Sequence, residues 1–143
     1  MERLPEFIAN HLFLCSLLMA LIMLLLWNLL GDTLSGVKSV SPREATQMMN
    51  RDDALVIDVR AESDYLAGHI LNAENYPAKE LEQYKDKLAP YKDKTLIVYC
   101  QHGQESAQVT RTMKQLGFSN AHTIKGGMTA WTSANLPTLS GKA

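Results

Sequence analysis

Residues 97–106 read Ile-Val-Tyr-Cys-Gln-His-Gly-Gln-Glu-Ser, and the cysteine among them is placed to do chemistry. The β-branched pair Ile97 and Val98 delivers Tyr99 and Cys100 into a glycine-containing loop, and Ser106-Ala107-Gln108-Val109 beyond it reads as a helix. A thiol at a strand end and a helix mouth meets free backbone N–H groups and the positive end of a helix dipole, a setting that holds an anion. The thiolate is the nucleophilic form, and such surroundings lower an ordinary thiol pKa of about 8.5 to roughly 3.5–7.5. The same position also suits an inert, packed cysteine. The other cysteine, Cys15, lies in so different a setting that no disulfide is expected, which fits a reducing compartment.

Around that thiol the sequence places few other reactive groups. Asp58 and Arg60 close the run ALVIDVR, and Lys125, Gly126 and Gly127 follow AHTI. His102 is a side chain of the type that can supply local positive charge, although a solvated loop histidine is the plainer reading. Cys100 with His102 is too sparse for zinc, which takes three or four protein ligands, so neither metal nor cofactor is expected. A cysteine phosphatase or arsenate reductase needs an arginine six residues after its cysteine to clamp an oxyanion. Ser106 stands there, so that reading fails. A formal charge of −1 gives no argument for nucleic acid as a partner.

The elements that must position these residues alternate between strand and helix. Ser41-Pro42-Arg43-Glu44 starts a helix, with serine at the cap, proline at the first turn and glutamate set for a capping box. The apolar runs at 54–60 and 95–100 are long enough for buried strands, and 121–127 is a third. Lys79 to Leu88 reads as a helix before a turn at Pro90, and Ser106 to Leu116 as another, closed by Gly117. Buried strands alternating with helices predict an α/β fold with a parallel sheet flanked by helices. In such sheets ligands bind beyond the carboxyl ends of the strands. Asp58, Arg60, Cys100 and Lys125 to Gly127 therefore converge on one edge.

The N-terminal segment is different in kind. Leu12 to Leu30 is broken only by Ser16 and Asn28 and carries no ionisable group. At about 1.5 Å per residue it nearly spans a bilayer core of roughly 30 Å, and Phe7, Ile8 and Ala9 lengthen it. One transmembrane helix over residues 7–30 is expected, with Trp27 as an interfacial anchor. A signal peptide fits less well, because the apolar run is too long and Leu29-Leu30-Gly31-Asp32-Thr33 offers no small-x-small cleavage site. Arg3 precedes the span while Lys38, Arg43 and Arg51 follow it, which places the C-terminal domain in the cytoplasm. Gly31 to Gly36 is read as a polar linker and 37–140 as the domain.

Four stretches together carry a resemblance to a known family. Asp-Val-Arg at 58–60, YLAGHI at 65–70, a Cys-x-x-Gly-x-x-Ser loop at 100–106 and GFSNAHTIKGGMTAW at 117–131 resemble single-domain rhodaneses, over roughly residues 37–139. With the N-terminal anchor the layout is similar to the rhodanese-like proteins of the bacterial inner membrane. The resemblance implies a sulfurtransferase in which Cys100 takes sulfane sulfur as a persulfide and passes it to a thiol acceptor. It also implies a cradle of amides from Gln101 to Ser106 around the sulfur, with Gly103 supplying the positive φ such a curl needs. Asp58, Arg60 and His69 match motif positions and take supporting, non-reacting roles.

Many thiosulfate-using members carry arginine or lysine in the loop, often where this chain has Glu105. Here the loop holds Gln101, His102, Gln104 and Glu105. A carboxylate beside the sulfur repels a dianionic donor, so thiosulfate is disfavoured and a protein or small-molecule persulfide fits better. Against the enzyme stands a binding module of the same fold, held at the membrane to recruit a protein partner, possession of Cys100 favouring the enzyme.

Overall fold

The computed structural model describes residues 3–34 and 36–142. The chain parts into two compact units between Ser35 and Gly36.

The first unit is helical, α1 (Arg3–Asn10) followed by α2 (Leu12–Leu34). The His11 amide donates to the Phe7 carbonyl at 3.0 Å and its carbonyl accepts from the Cys15 amide at 2.9 Å, so α-helical bonding runs through the junction. The Ser16 hydroxyl donates to the Phe13 carbonyl at 2.8 Å, which satisfies a polar group within the apolar run. Leu12–Leu30 is long and apolar enough to cross a membrane, and lies near the N-terminus, where a signal sequence has the same character. Its leucines, its methionines and Trp27 are exposed along its length.

Gly31 to Leu34, read above as linker, continues α2. One glycine costs a helix only about 1 kcal/mol, and no proline follows to stop it. Of the remaining linker residues, Ser35 lies outside the described residues and Gly36 turns with φ +65°.

The second unit is built on a five-stranded parallel sheet in the order β1-β6-β5-β2-β4. The strands are β1 (Lys38–Val40), β2 (Leu55–Asp58), β4 (Ala73–Asn75), β5 (Leu96–Tyr99) and β6 (Ala121–Ile124). A two-stranded antiparallel ribbon pairs β3 (His69–Ile70) with β7 (Thr138–Leu139). The helices are α3 (Pro42–Asp52), α4 (Glu62–Ala67), α5 (Lys85–Leu88), α6 (Gln104–Gln115) and α7 (Gly127–Ser133). The capping box at α3 is formed in full, Glu44 Oε2 accepting from the Ser41 amide at 2.7 Å and Ser41 Oγ from the Glu44 amide at 3.3 Å.

The three central strands are the three read from the sequence, each shorter at its ends, and they are buried on both faces. Alternate side chains divide between two cores. Ile57, Leu96, Val98, Cys100 and Ala121 pack with Val109 and Met113 of α6. Val56, Ile97, Tyr99 and Ile124 pack on the other side with Ala45 of α3 and Met128 and Trp131 of α7. The helix expected over 79–88 is instead a 3-10 segment, Ala78–Tyr84, leading into α5. Leu81, Tyr84 and Leu88 face the core in either winding, so apolar spacing alone does not separate them.

Candidate active site

Parallel strands deliver their last residues to one edge, and the residues expected there meet. Cys100 follows β5 directly, Asp58 ends the neighbouring β2, Lys125 and Gly126 stand between β6 and α7, and Gly127 opens α7. The Cys100 loop is fastened to the start of α7. Its Met128 amide donates to the Cys100 carbonyl at 2.8 Å, and the Thr129 amide and hydroxyl donate to the Gln101 carbonyl at 3.1 and 3.0 Å. The approach is so close that a Cβ on Gly127, where φ is +57°, would lie 2.3 Å from the Cys100 oxygen.

With its carbonyls turned to α7, the loop presents donors to the sulfur. The Gly103 amide reaches Cys100 Sγ at 3.1 Å and the Ser106 amide at 3.3 Å. Gly103 takes φ +97° to make that curl and caps α6, whose positive end faces the thiol. The Cys100 S–H donates to Ser106 Oγ at 3.4 Å. Of the cradle implied over 101–106, the amides of Gly103 and Ser106 are the two at hydrogen-bond distance. Cys100 and Ser106 are buried, while Gln101, His102, Gln104 and Glu105 are exposed. Cys100 and the four exposed residues, with Arg60, Ala61 and Asp64, line an open pocket of about 230 Å³ over the sulfur.

Asp58 and Arg60 form a buried, forked ion pair. Arg60 Nε lies 3.0 and 3.1 Å from the two carboxylate oxygens and Nη2 lies 2.7 Å from Oδ2. The remaining donors reach outward, Nη2 to the Gly68 carbonyl at 2.6 Å and Nη1 to Gln101 Oε1 at 3.1 Å. Burial opposes the guanidinium's charge, but the hydrogen bonds and charge of Asp58 outweigh it and hold the Arg60 pKa above its ordinary value. Arg60 is therefore a neutralised clamp on the loop.

His69 sits one layer back. It stacks on Tyr65 with ring centroids 3.9 Å apart, and its Nδ1 bonds the Tyr65 carbonyl at 2.9 Å, leaving Nε2 buried with no hydrogen-bond partner among the described residues. Its link to the pocket runs through the preceding Gly68, the acceptor of Arg60. His102 Nδ1 lies 3.3 Å from the Thr129 hydroxyl.

Three contributors were missed from the sequence. Tyr99 is wholly buried beneath Arg60, whose guanidinium lies 5.6 Å from the ring centre, and its hydroxyl accepts from the Ile70 amide at 3.1 Å. Burial, then the charge of Asp58, pushes its pKa well above the ordinary tyrosine range. Its place just before the loop, on the face opposite Cys100, was the available signal. Thr129, and Thr123, whose hydroxyl lies 2.7 Å from Ser106 Oγ, gave none, because threonine is an ordinary residue in a helix end or a strand. A wider groove of about 990 Å³ opens past Ala61 and Glu105, with Glu62, Glu74, Glu80 and Lys87 among its walls. Among the described residues no three His, Cys, Asp or Glu side chains are grouped to hold a metal ion.

A profile of the family described as the rhodanese-like domain matches residues 41–134. The uncharacterised protein YibN of Escherichia coli is 29% identical over 143 residues, covering 99% of this chain and 100% of that one. The thiosulfate sulfurtransferase GlpE of Coxiella burnetii is 33% identical over 101 residues, covering 71% of this chain and 92% of that one. Among solved structures, a rhodanese-related protein from Thermoplasma volcanium superposes with a TM-score of 0.65 at 28% identity, covering 71% of this chain and 97% of that one.

Proposed function

We propose, from the premise that this chain belongs to the rhodanese-like domain family, that it is a membrane-anchored sulfurtransferase working through a persulfide on Cys100. The observation that carries the reading is the convergence of the Gly103 and Ser106 amides on Cys100 Sγ at the floor of an open pocket. Two N–H donors and a helix terminus stabilise a thiolate, the form that attacks sulfur.

In the first half-reaction the Cys100 thiolate attacks the terminal sulfur of a persulfide R–S–SH. A new S–S bond forms, the donor's S–S bond breaks, and R–S⁻ leaves. In the second, an acceptor thiolate attacks the terminal sulfur on Cys100, forming the acceptor persulfide and returning the Cys100 thiolate. One sulfur atom moves and no external oxidant or reductant is needed. The two amides hold the negative sulfur in the resting and leaving states alike, so both half-reactions gain from them. The sulfurtransferase named among the relatives supports this reaction class. Glu105 and Asp64 at the mouth favour a persulfide over a dianionic donor, and the neighbouring groove of about 990 Å³ has room for the thiol-bearing part of an acceptor.

Residues 7–30 serve as the anchor in the inner membrane, crossing once, with the domain in the cytoplasm beside the more basic flank. The test uses the full chain in detergent. Incubated with a persulfide donor, it is expected to gain the mass of one sulfur atom, and Cys100→Ser to gain none. A gain that survives in Cys100→Ser overturns the assignment, and a wild-type chain that neither gains nor transfers sulfur points to the binding module.

A further inference from the structure

We propose that Thr123 is a positioning residue for the thiolate, acting through Ser106; the inference rests on the Cys100 reading above. Thr123 lies in β6, opposite Val98 in the sheet register, on the face that carries Ala121 toward α6. On that face an apolar residue would pack as well, yet a hydroxyl is buried there, 3% exposed. Its Oγ1 lies 2.7 Å from Ser106 Oγ. Ser106 Oγ in turn lies 3.4 Å from Cys100 Sγ and 3.2 Å from the Gly103 carbonyl.

Counting protons fixes the direction of this chain. Each hydroxyl has one hydrogen to give, and the Gly103 carbonyl can only accept. Ser106 is the single hydrogen-bond partner of the Thr123 hydroxyl among the described residues. Suppose Ser106 gave its proton to Thr123. The Gly103 carbonyl and the sulfur would then both lose it, and the Thr123 proton would have no acceptor. With Thr123 donating instead, every group is served. In the thiol state Ser106 Oγ accepts from both Thr123 and the Cys100 S–H and donates to the Gly103 carbonyl. When the sulfur ionises, the Ser106 proton swings from that carbonyl to Sγ, joining the Gly103 and Ser106 amides as a third donor.

Thr123 thus does two things without touching sulfur. It keeps the Ser106 proton available, and it polarises that hydroxyl so that its bond to the anion is stronger. Polarisation by a neighbour strengthens a hydrogen bond by about a tenth to a third, and applied to a charged-group bond that alters the thiolate population about two- to fourfold.

The experiment measures iodoacetamide alkylation of Cys100 against pH in the full chain in detergent, with no sulfur donor present. Thr123→Val, which keeps shape and strand preference, is expected to slow alkylation about two- to fourfold below the midpoint and to displace the profile to higher pH. Thr123→Ser is expected to restore the wild-type profile, and Thr123→Val is expected to have no effect in a Ser106→Ala background. Should the valine variant fold poorly, Thr123→Ala serves in its place. A valine profile that overlays the wild type, a serine variant displaced as far as valine, or the full displacement without Ser106 would each overturn the proposal. A chain that transfers no sulfur but shows the displacement would sink the sulfurtransferase reading and leave Thr123 in place.

Discussion

Arg60 Nη1 reaches across to Gln101 Oε1 at 3.1 Å, tying the strand end that bears the buried Asp58 to the loop that bears the thiol. Two contributions therefore meet in one side chain and separate on substitution. Arg60→Ala leaves the wholly buried Asp58 carboxylate without its cation, an expected loss of about 3–5 kcal/mol in urea unfolding. Arg60→Lys keeps the charge but not the fork, so a smaller loss of about 1–2 kcal/mol is expected, with alkylation of Cys100 slowed because Gln101 is released. The double variant Asp58→Asn with Arg60→Met is expected to fall closer to wild type than Arg60→Ala. Equal losses for lysine and alanine would contradict this division.

Gly127 is the position where the site has no slack. A Cβ there would meet Cys100 O at 2.3 Å and Gln101 C at 2.9 Å, both backbone atoms, at a positive φ that side chains rarely adopt. Gly127→Ala is expected to cost about 2–4 kcal/mol and to slow alkylation of Cys100. A variant as stable and as reactive as wild type would mean that the loop and α7 part easily.

Charge at the pocket mouth is expected to govern the choice of donor. Wild-type chain should use thiosulfate poorly, and Glu105→Arg should raise kcat/KM for it about five- to tenfold, the exposure of Glu105 limiting the gain. The gain for an uncharged donor should be much smaller, since the dianion feels the field most. An equal gain with both donors would place the effect on the thiol instead.

His122 gives the fold a pH dependence of its own. It is 8% exposed, with Nε2 against Asn120 Oδ1 at 2.9 Å. Burial, then the charges of Lys38 and Lys114, holds its imidazole below the ordinary value of 6.5. The unfolded chain takes the proton first, so this contribution to stability is whole above about pH 6.5 and is lost as pH falls toward the lower folded value. The unfolding free energy of wild type minus that of His122→Asn should decline over that interval. A difference flat in pH would show that the ring is not held neutral by the fold.

What the sequence disclosed and withheld follows from how local each cause is. The capping box of Ser41 and Glu44 and the doubly buried strands around Val56, Val98 and Thr123 are written in consecutive residues, and the cysteine loop likewise. The pairing of His69 with Leu139 and the edge strand Ala73–Asn75 arise from partners far along the chain, so no short window contains them. The 3-10 winding at 78–84 keeps the same residues inward as an α-helix would. Thr123 was invisible as a site residue for the same reason, since its strand needs only a residue that packs.

Strand β1 has a mechanical meaning. The domain's first strand is an edge strand, held to β6 alone within the sheet by the register Lys38↔His122, Ser39↔Thr123 and Val40↔Ile124, with the Lys125 amide donating to the Val40 carbonyl at 2.9 Å. Tension entering the domain along the chain at Gly36, whose carbonyl accepts from Lys114 Nζ at 2.9 Å, passes next to this short ladder. The strand it pulls on carries Thr123 and runs straight into Gly126 and Gly127, the contact that shapes the loop around sulfur. A force on the chain at Gly36 therefore has a hydrogen-bonded, three-rung route to the strand that leads to the Cys100 loop.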